Sequence, residues 1–254
     1  MSVASRFLAH PLTRGLSVDD PRTTQLRRRI ILGKPFLKAI YSEWYRRIVA
    51  ALSSRERVLE LGSGAGFFPE FLPRVLTSEV FHVPGICLVA DARALPLLDQ
   101  SLDAIVMTDV FHHIPDVRRF LAEAARCIRP GGRVVMVEPW RTRWSEWVYR
   151  NLHPEPFEPD GDWAIPAAGP LSGANGALPW IVFQRDRSIF ESRFPEWRIL
   201  GVEPMMPFSY LLSGGLSMRS LTPGFLYRLV RWCERRLRQE RWAMFALITL
   251  ERCS

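Results

Sequence analysis

Cysteine is scarce and scattered in this chain. Its four residues, Cys87, Cys127, Cys233 and Cys253, form no CxxC pair and no zinc-ligand spacing. That excludes a disulfide framework and suits a reducing compartment. No HxxxH or HExxH run is present, so the sequence proposes no metal centre. No apolar run approaches the length of a membrane span. The amino-terminal residues also lack the continuous apolar stretch of a signal peptide, which predicts a cytoplasmic protein that at most touches the inner face of the membrane peripherally. Internal repeats and low-complexity segments are absent, which excludes solenoids and arrays. What is abundant is apolar side chain, 48% of 254 residues, enough for one α/β domain with a full core. The net charge is +8. Such a balance attracts nucleic acid, anionic lipid or an acidic small substrate without choosing among them.

Along the chain, Ser17 to Leu52 reads as a helical prelude: Asp20 can cap, Pro21 suits a first turn, and Gly33 and Pro35 divide it into two helices. From Arg57 strands alternate with short helices. Strands are expected at Val58 to Leu61, Val75 to Glu79, Ile86 to Ala90, Leu102 to Thr108 and Arg133 to Glu138. Val117, Phe120, Leu121, Ala124, Ala125 and Ile128 mark a helix by their i, i+3, i+4 spacing. This alternation argues for a parallel sheet covered on both faces. Residues 140–186 break the rhythm with Pro, Gly and Trp. A helix at Ile189 to Phe194, a strand at Trp197 to Glu203, a helix at Gly224 to Arg238 and a strand at Trp242 to Leu250 then follow. A helix between two late strands permits an antiparallel last strand.

The strongest chemical signal is VLELGSGAGFF, Val58 to Phe68. A strand runs into Gly62, Gly64 and Gly66, and a helix is expected straight after. Such a turn lets a ligand approach bare backbone, and a helix N-terminus offers free N–H groups. Dinucleotide-binding folds use a similar turn. Here, however, the glycines run GxGxG, and Glu60 sits two residues before the first. A carboxylate there repels a pyrophosphate and suits a ligand carrying an ammonium group and a sulfonium.

On these residues the chain resembles the methyltransferase-domain family of class I S-adenosylmethionine enzymes. Four pieces carry the resemblance, in order, between Arg57 and Pro139: VLELGSGAG; Glu79 at the end of the second strand; DARALPL, Asp91 to Leu97; and TDVFHHIPD, Thr108 to Asp116, followed by LAEAARCIRPGGRVVMVEP. A weaker echo runs through Trp197 to Glu203 and Trp242 to Leu250. The resemblance implies an α/β fold: a Rossmann-like, doubly wound, mostly parallel seven-stranded sheet in the order 3-2-1-4-5-7-6, with the last strand antiparallel. It implies S-adenosyl-L-methionine as cofactor. Glu60, Gly62, Ser63, Gly64 and Gly66 would receive the methionine end, Glu79 the ribose hydroxyls, and Asp91 and Ala92 the adenine, with Asp109 and Val110 beside the methionine end. It divides residues 1–254, one methyltransferase domain, into a helical cap (17–52), a cofactor-binding core (57–139), an insertion (140–186) and a carboxy-terminal part completing the sheet (187–254). Two departures stand out. Pro73 should end the first helix early. The connection from Glu79 to Ile86 is too short for a crossover helix; six extended residues reach about 20 Å, so a loop is expected there.

The acceptor is expected to be a small or lipid-linked molecule. Methyl transfer draws mainly on in-line positioning and desolvation. His112 and His113 are candidate general bases, or packing. In the insertion Trp144, Tyr149, His153, Asn175 and Trp180 could line an acceptor pocket or lid, or form a core of their own. On the helix near Tyr227 to Arg241, Arg228, Arg231, Arg235 and Arg238 read as a solvated outer face, with Leu226, Leu229, Val230, Cys233 and Leu237 packed inward. Docking on an anionic membrane is the functional alternative. An RNA methyltransferase is disfavoured by the lack of an RNA-binding module and of an NPPY-like segment after the fourth strand. A non-catalytic scaffold and a nicotinamide-dependent oxidoreductase are the other readings. Oligomeric state is not legible.

Overall fold

The computed structural model describes residues 19–153, 155–165, 169 and 173–253. Ser17 and Val18 of the expected cap, and residues 170–172 of the insertion, lie outside them. Helix α1, Pro21–Gly33, starts where the Asp20 carboxylate accepts from the Arg22 N–H at 2.9 Å. It gives way at Lys34 to α2, Pro35–Ala51. Phe36, Leu37, Ile40, Trp44 and Ile48 recur along one face of α2 and are fully buried.

Four parallel strands follow: β1 (Val58–Leu61), β2 (Leu76–Glu79), β3 (Leu88–Val89) and β4 (Leu102–Thr108). No α-helix follows the glycine turn. The chain makes only one 3-10 turn, Phe68–Glu70. Phe67 and Phe68 are buried against Tyr45 at ring distances of 5.0 and 5.2 Å, and Pro69 and Pro73 punctuate the segment. The expected helix N-terminus is therefore replaced by a loop clamped by aromatic packing. From β2 to β3 the chain crosses by a loop with Gly85 at φ +91°, as the short spacing required.

Helix α3, Val117–Cys127, is capped by Asp116 and runs directly into β5, Ile128–Pro139, which starts earlier than its valine-rich centre suggested. The insertion is not structureless. It holds α4 (Arg143–Leu152) and a short helix α5 (Leu178–Trp180), which continues as a wider turn over Ile181–Arg185. Then come α6 (Arg187–Arg193), β6 (Trp197–Met205), α7 (Ser209–Leu212), α8 (Tyr227–Glu234), α9 (Gln239–Trp242) and β7 (Phe245–Arg252). The sheet order is β3-β2-β1-β4-β5-β7-β6, with β7 antiparallel to both neighbours. Strands β1 and β4 and the Val134–Val137 stretch of β5 are mostly apolar because both faces are covered. No helix among the described residues is long and apolar enough to cross a membrane.

Candidate active site

A cleft of about 1060 Å³, counting its open mouth, lies at the carboxyl ends of β1, β2 and β4. Ligands bind open α/β sheets there because the strand order reverses at β1. Its floor is the glycine turn. Gly62 has φ +71°, and a Cβ there would stand 2.4 Å from Val110 Cγ2. A Cβ on Gly64 would meet Thr24 Cγ2 at 2.5 Å and Glu79 Oε2 at 2.9 Å. At Gly62, which lines the cleft, the positive φ and the contact with Val110 disfavour a side chain, so backbone itself faces a ligand.

Three carboxylates surround the turn. Glu60 is buried and lines the cleft, and its Oε2 has no hydrogen-bond partner. Burial pushes its carboxyl up to about 7, with Glu79 adding to the effect. Glu79 accepts from the Gly64 N–H at 3.2 Å and from its neighbour Val80 at 2.9 Å, which ties the end of β2 to the turn. Burial raises its carboxyl as well. Asp91 lines the cleft farther along and is gripped by Arg93 through Nε and Nη2, so Arg93 holds it below the usual carboxylate range. Ala92, Asp109 and Val110 also line the cleft. Ser63 and Gly64 stand behind it: the Ser63 hydroxyl donates to the Glu60 carbonyl and accepts from the Ser78 N–H.

The β4 loop carries the histidines. Asp109 turns it with φ +62°, and burial raises the Asp109 carboxyl to about 6. Glu138, at the end of β5, accepts from the N–H groups of Val110 and Phe111 through Oε1 and holds His112 Nδ1 at 2.7 Å through Oε2. His112 is fully buried, and its Nε2 lies 3.4 Å from Glu155 Oε2, outside hydrogen-bond geometry. Burial opposes charge on His112, but Glu138 and Glu155 outweigh it and hold the ring protonated well above its ordinary range. His112 therefore braces the loop and does not face the cleft. His113 does line it. Its Nδ1 lies 3.0 Å from the Gly173 carbonyl, and burial together with the His112 charge lowers it to about 4. It is a neutral imidazole at physiological pH. Ligand-type atoms of His112, His113 and Glu155 lie within 4.8 Å of one another.

The insertion residues separate into two groups. Trp144 donates to the Pro207 carbonyl and packs against Trp147 and Phe208. Trp180 lies under Arg141, and Asn175 ties Glu158 and Ala177 through its side chain. None of these three lines the cleft or the second pocket described next, and each holds the insertion together. Tyr149 and His153, by contrast, line a second, apolar pocket of about 400 Å³ with Val148, Leu152, Tyr210 and Met244. Leu216 lines both cavities, so the two lie side by side. Buried Lys34 holds that loop by donating to the Gly215 carbonyl at 2.7 Å.

Sequence reasoning missed Thr24, Arg27, Tyr41 and Tyr45, which α1 and α2 bring over the cleft, and Glu155 beside the histidines. Helical periodicity marked the prelude, but nothing local says where a helix docks.

The sheet order and the antiparallel β7 are those of the class I methyltransferase fold. Residues 59–136 match the family model of the methyltransferase domain. A demethylmenaquinone methyltransferase from Renibacterium salmoninarum is 30% identical over 132 residues, 43% of this chain and 56% of that protein. Phthiotriol/phenolphthiotriol dimycocerosates methyltransferase 1 from Mycobacterium ulcerans is 31% identical over 103 residues, 34% of this chain and 38% of that protein. The chain thus matches about half or less of these relatives' lengths. Among solved structures, a SAM-dependent methyltransferase from Thermotoga maritima superposes with a TM-score of 0.58 at 17% identity, covering 91% of this chain and 96% of that one. Geranyl diphosphate C-methyltransferase from Streptomyces coelicolor A3(2), solved with Mg2+, geranyl diphosphate and S-adenosyl-L-homocysteine, gives 0.53 at 12% identity, covering 96% and 91%. At these identities the two structures speak to the fold alone.

Proposed function

We propose that this protein transfers a methyl group from S-adenosyl-L-methionine to an apolar, lipid-linked acceptor. The observation that carries the cofactor reading is the orphaned Glu60 Oε2, buried beside a turn that disfavours a side chain at Gly62. A buried carboxylate without a partner is costly, and an ammonium group removes that cost. Glu60 and the Gly62–Gly66 turn would hold the methionine end, Glu79 the ribose hydroxyls, and Asp91 with Ala92 the adenine. The cofactor supplies an electrophilic methyl on sulfur. The chain supplies position and dryness: Tyr41, Tyr45 and Ile114 line the cleft, and His113, neutral, can accept a hydrogen bond from an acceptor hydroxyl.

The acceptor reading rests on the apolar pocket beside the cleft, with Leu216 lining both. Relatives named for menaquinone and phthiotriol lipids support an acceptor of that chemistry. The test is calorimetry with S-adenosyl-L-homocysteine, followed by transfer of labelled methyl into a lipid extract. Binding is expected in the wild type and lost in Gly64→Arg with the circular dichroism intact, because the new side chain must enter the space held by Thr24 and Glu79. Equal binding by the variant would refute the cofactor placement. Label confined to water-soluble products would refute the acceptor class.

A further inference from the structure

Helix α8 departs from its amphipathic pattern at Arg231, which turns inward. Tyr227, Arg231 and Glu234, one face by i, i+4, i+7 spacing, point inward. Arg231 is 4% exposed. Its Nη2 meets Glu43 Oε1 of α2 at 2.7 Å, its Nε meets Glu43 Oε2 at 3.1 Å, and its Nη1 bonds Glu234. The Tyr227 hydroxyl donates to Glu43 at 2.6 Å. Glu234 also accepts from the N–H groups of Phe208 and Ser209 and from the Ser209 hydroxyl. These bonds fix the rotation of the helix, since turning it would bury unpaired charge.

The consequence is an apolar outer face. Phe225, in the preceding turn, is 81% exposed; Leu229 is 56% and Trp232 55% exposed. Leu221 is exposed nearby in sequence. Arg228, Arg235, Arg236 and Arg238 are exposed around this row, and none has an acidic partner among the described residues. Arg236 lies against the Trp232 ring, 3.3 Å from its centroid. One exposed acid, Glu240, lies beyond them. A solvated face would not carry Phe, Leu and Trp in register, and a protein-binding groove would not need a ring of unpaired arginines.

The geometry points to a docking surface for an anionic lipid bilayer, with Phe225, Leu229 and Trp232 inserted at the headgroup level and the arginines on lipid phosphates. Aromatic and aliphatic side chains combined with basic residues are what interfacial helices use. This deepens the lipid-acceptor reading by giving the enzyme a way to reach its substrate, yet it is measured separately from methyl transfer.

The experiment is vesicle flotation of the full chain with pure phosphatidylcholine and with phosphatidylcholine containing 30% phosphatidylglycerol, a composition chosen on the order of physiological anionic surfaces. Wild type should float with the anionic vesicles, less so at high salt, and its tryptophan emission should shift to the blue. The triple variant F225S/L229S/W232S should lose at least about tenfold in partitioning. The variant R228E/R235E/R236E should lose the preference for anionic vesicles. Unchanged binding of S-adenosyl-L-homocysteine by both variants would show that fold and cofactor site are intact. Failure of the wild type to float, or flotation by the triple variant equal to wild type, would overturn the proposal. So would a wild-type dimer in sedimentation that the triple variant abolishes, since a second copy would then cover the face. None of these results bears on cofactor affinity.

Discussion

Replacing Glu60 with glutamine separates two effects that the structure places on one side chain. The Glu60 carboxyl is buried with its Oε2 unpartnered, and its proton is held up to about 7 against an ordinary 4.5. A native carboxyl that binds protons more tightly than the unfolded one makes stability fall as pH rises. The contribution is fully present below about 4.5 and lost by about pH 7. At 1.36 kcal/mol per tenfold shift in proton affinity, the cost of the ionised form reaches about 3 kcal/mol at alkaline pH. Glu60→Gln removes it. The variant should be more stable than wild type at pH 8, by up to about 3 kcal/mol less whatever its own amide loses unpaired, and gain little at pH 5. Cofactor binding should move the other way. An ammonium beside Glu60 favours the carboxylate, so wild-type affinity should rise with pH up to about 7 and binding should release a proton. Loss of a charged hydrogen bond costs about 1.5–3 kcal/mol, so the variant should bind about 10- to 100-fold more weakly at pH 8, with a flat pH profile. Titration calorimetry in two buffers of different ionisation enthalpy counts the proton directly. Wild-type affinity and an unchanged pH slope in Glu60→Gln would refute the ammonium assignment.

Two other buried charges make further predictions. Glu138→Gln leaves His112 without its fixed counterion and weakens the bonds to Val110 and Phe111; a loss of about 3 kcal/mol in urea denaturation at pH 7 is expected, with faster amide exchange through residues 109–113. Arg231→Met strands Glu43 and Glu234 and should cost about 3–5 kcal/mol at pH 7. Burial acts to raise Glu43, but Arg231 and Tyr227 hold it down to about 2, so that stabilisation is present above about 4.5 and fades toward 2. The gap between variant and wild type should therefore narrow as denaturation is repeated from pH 5 to pH 3, and a constant gap would count against the ion pair as its source.

Much of the fold is legible in the residue pattern. Strands β1, β4 and β5 announce themselves as apolar runs ending in turn residues. The spacing of Gly62, Gly64, Gly66 and Glu60 marks a backbone-lined pocket, because glycine's lack of a Cβ is a property of the residue and not of its neighbours. The missing crossover between Glu79 and Leu88 was equally readable, being a matter of chain length. The helix expected after Gly66 was not there, since Phe67 and Phe68 are claimed by Tyr45 of α2.

Periodicity put Arg228, Arg235 and Arg238 outside, as found, but placed Arg231 outside and Leu229 inside, where the structure has the reverse. It reports that faces differ, while Glu43, 188 positions from Arg231 in sequence, decides which one turns inward. Glu155 reaches His112 across the insertion in the same way, and α1 carries Thr24 and Arg27 over the glycine turn. The sequence by itself determined which residues could form strands, turns and a naked-backbone site, because those depend on local sterics and pattern. Tertiary structure alone decided which charges meet, which histidine faces the cleft and which apolar row is left outside, because these follow from pairing between groups that only folding brings together.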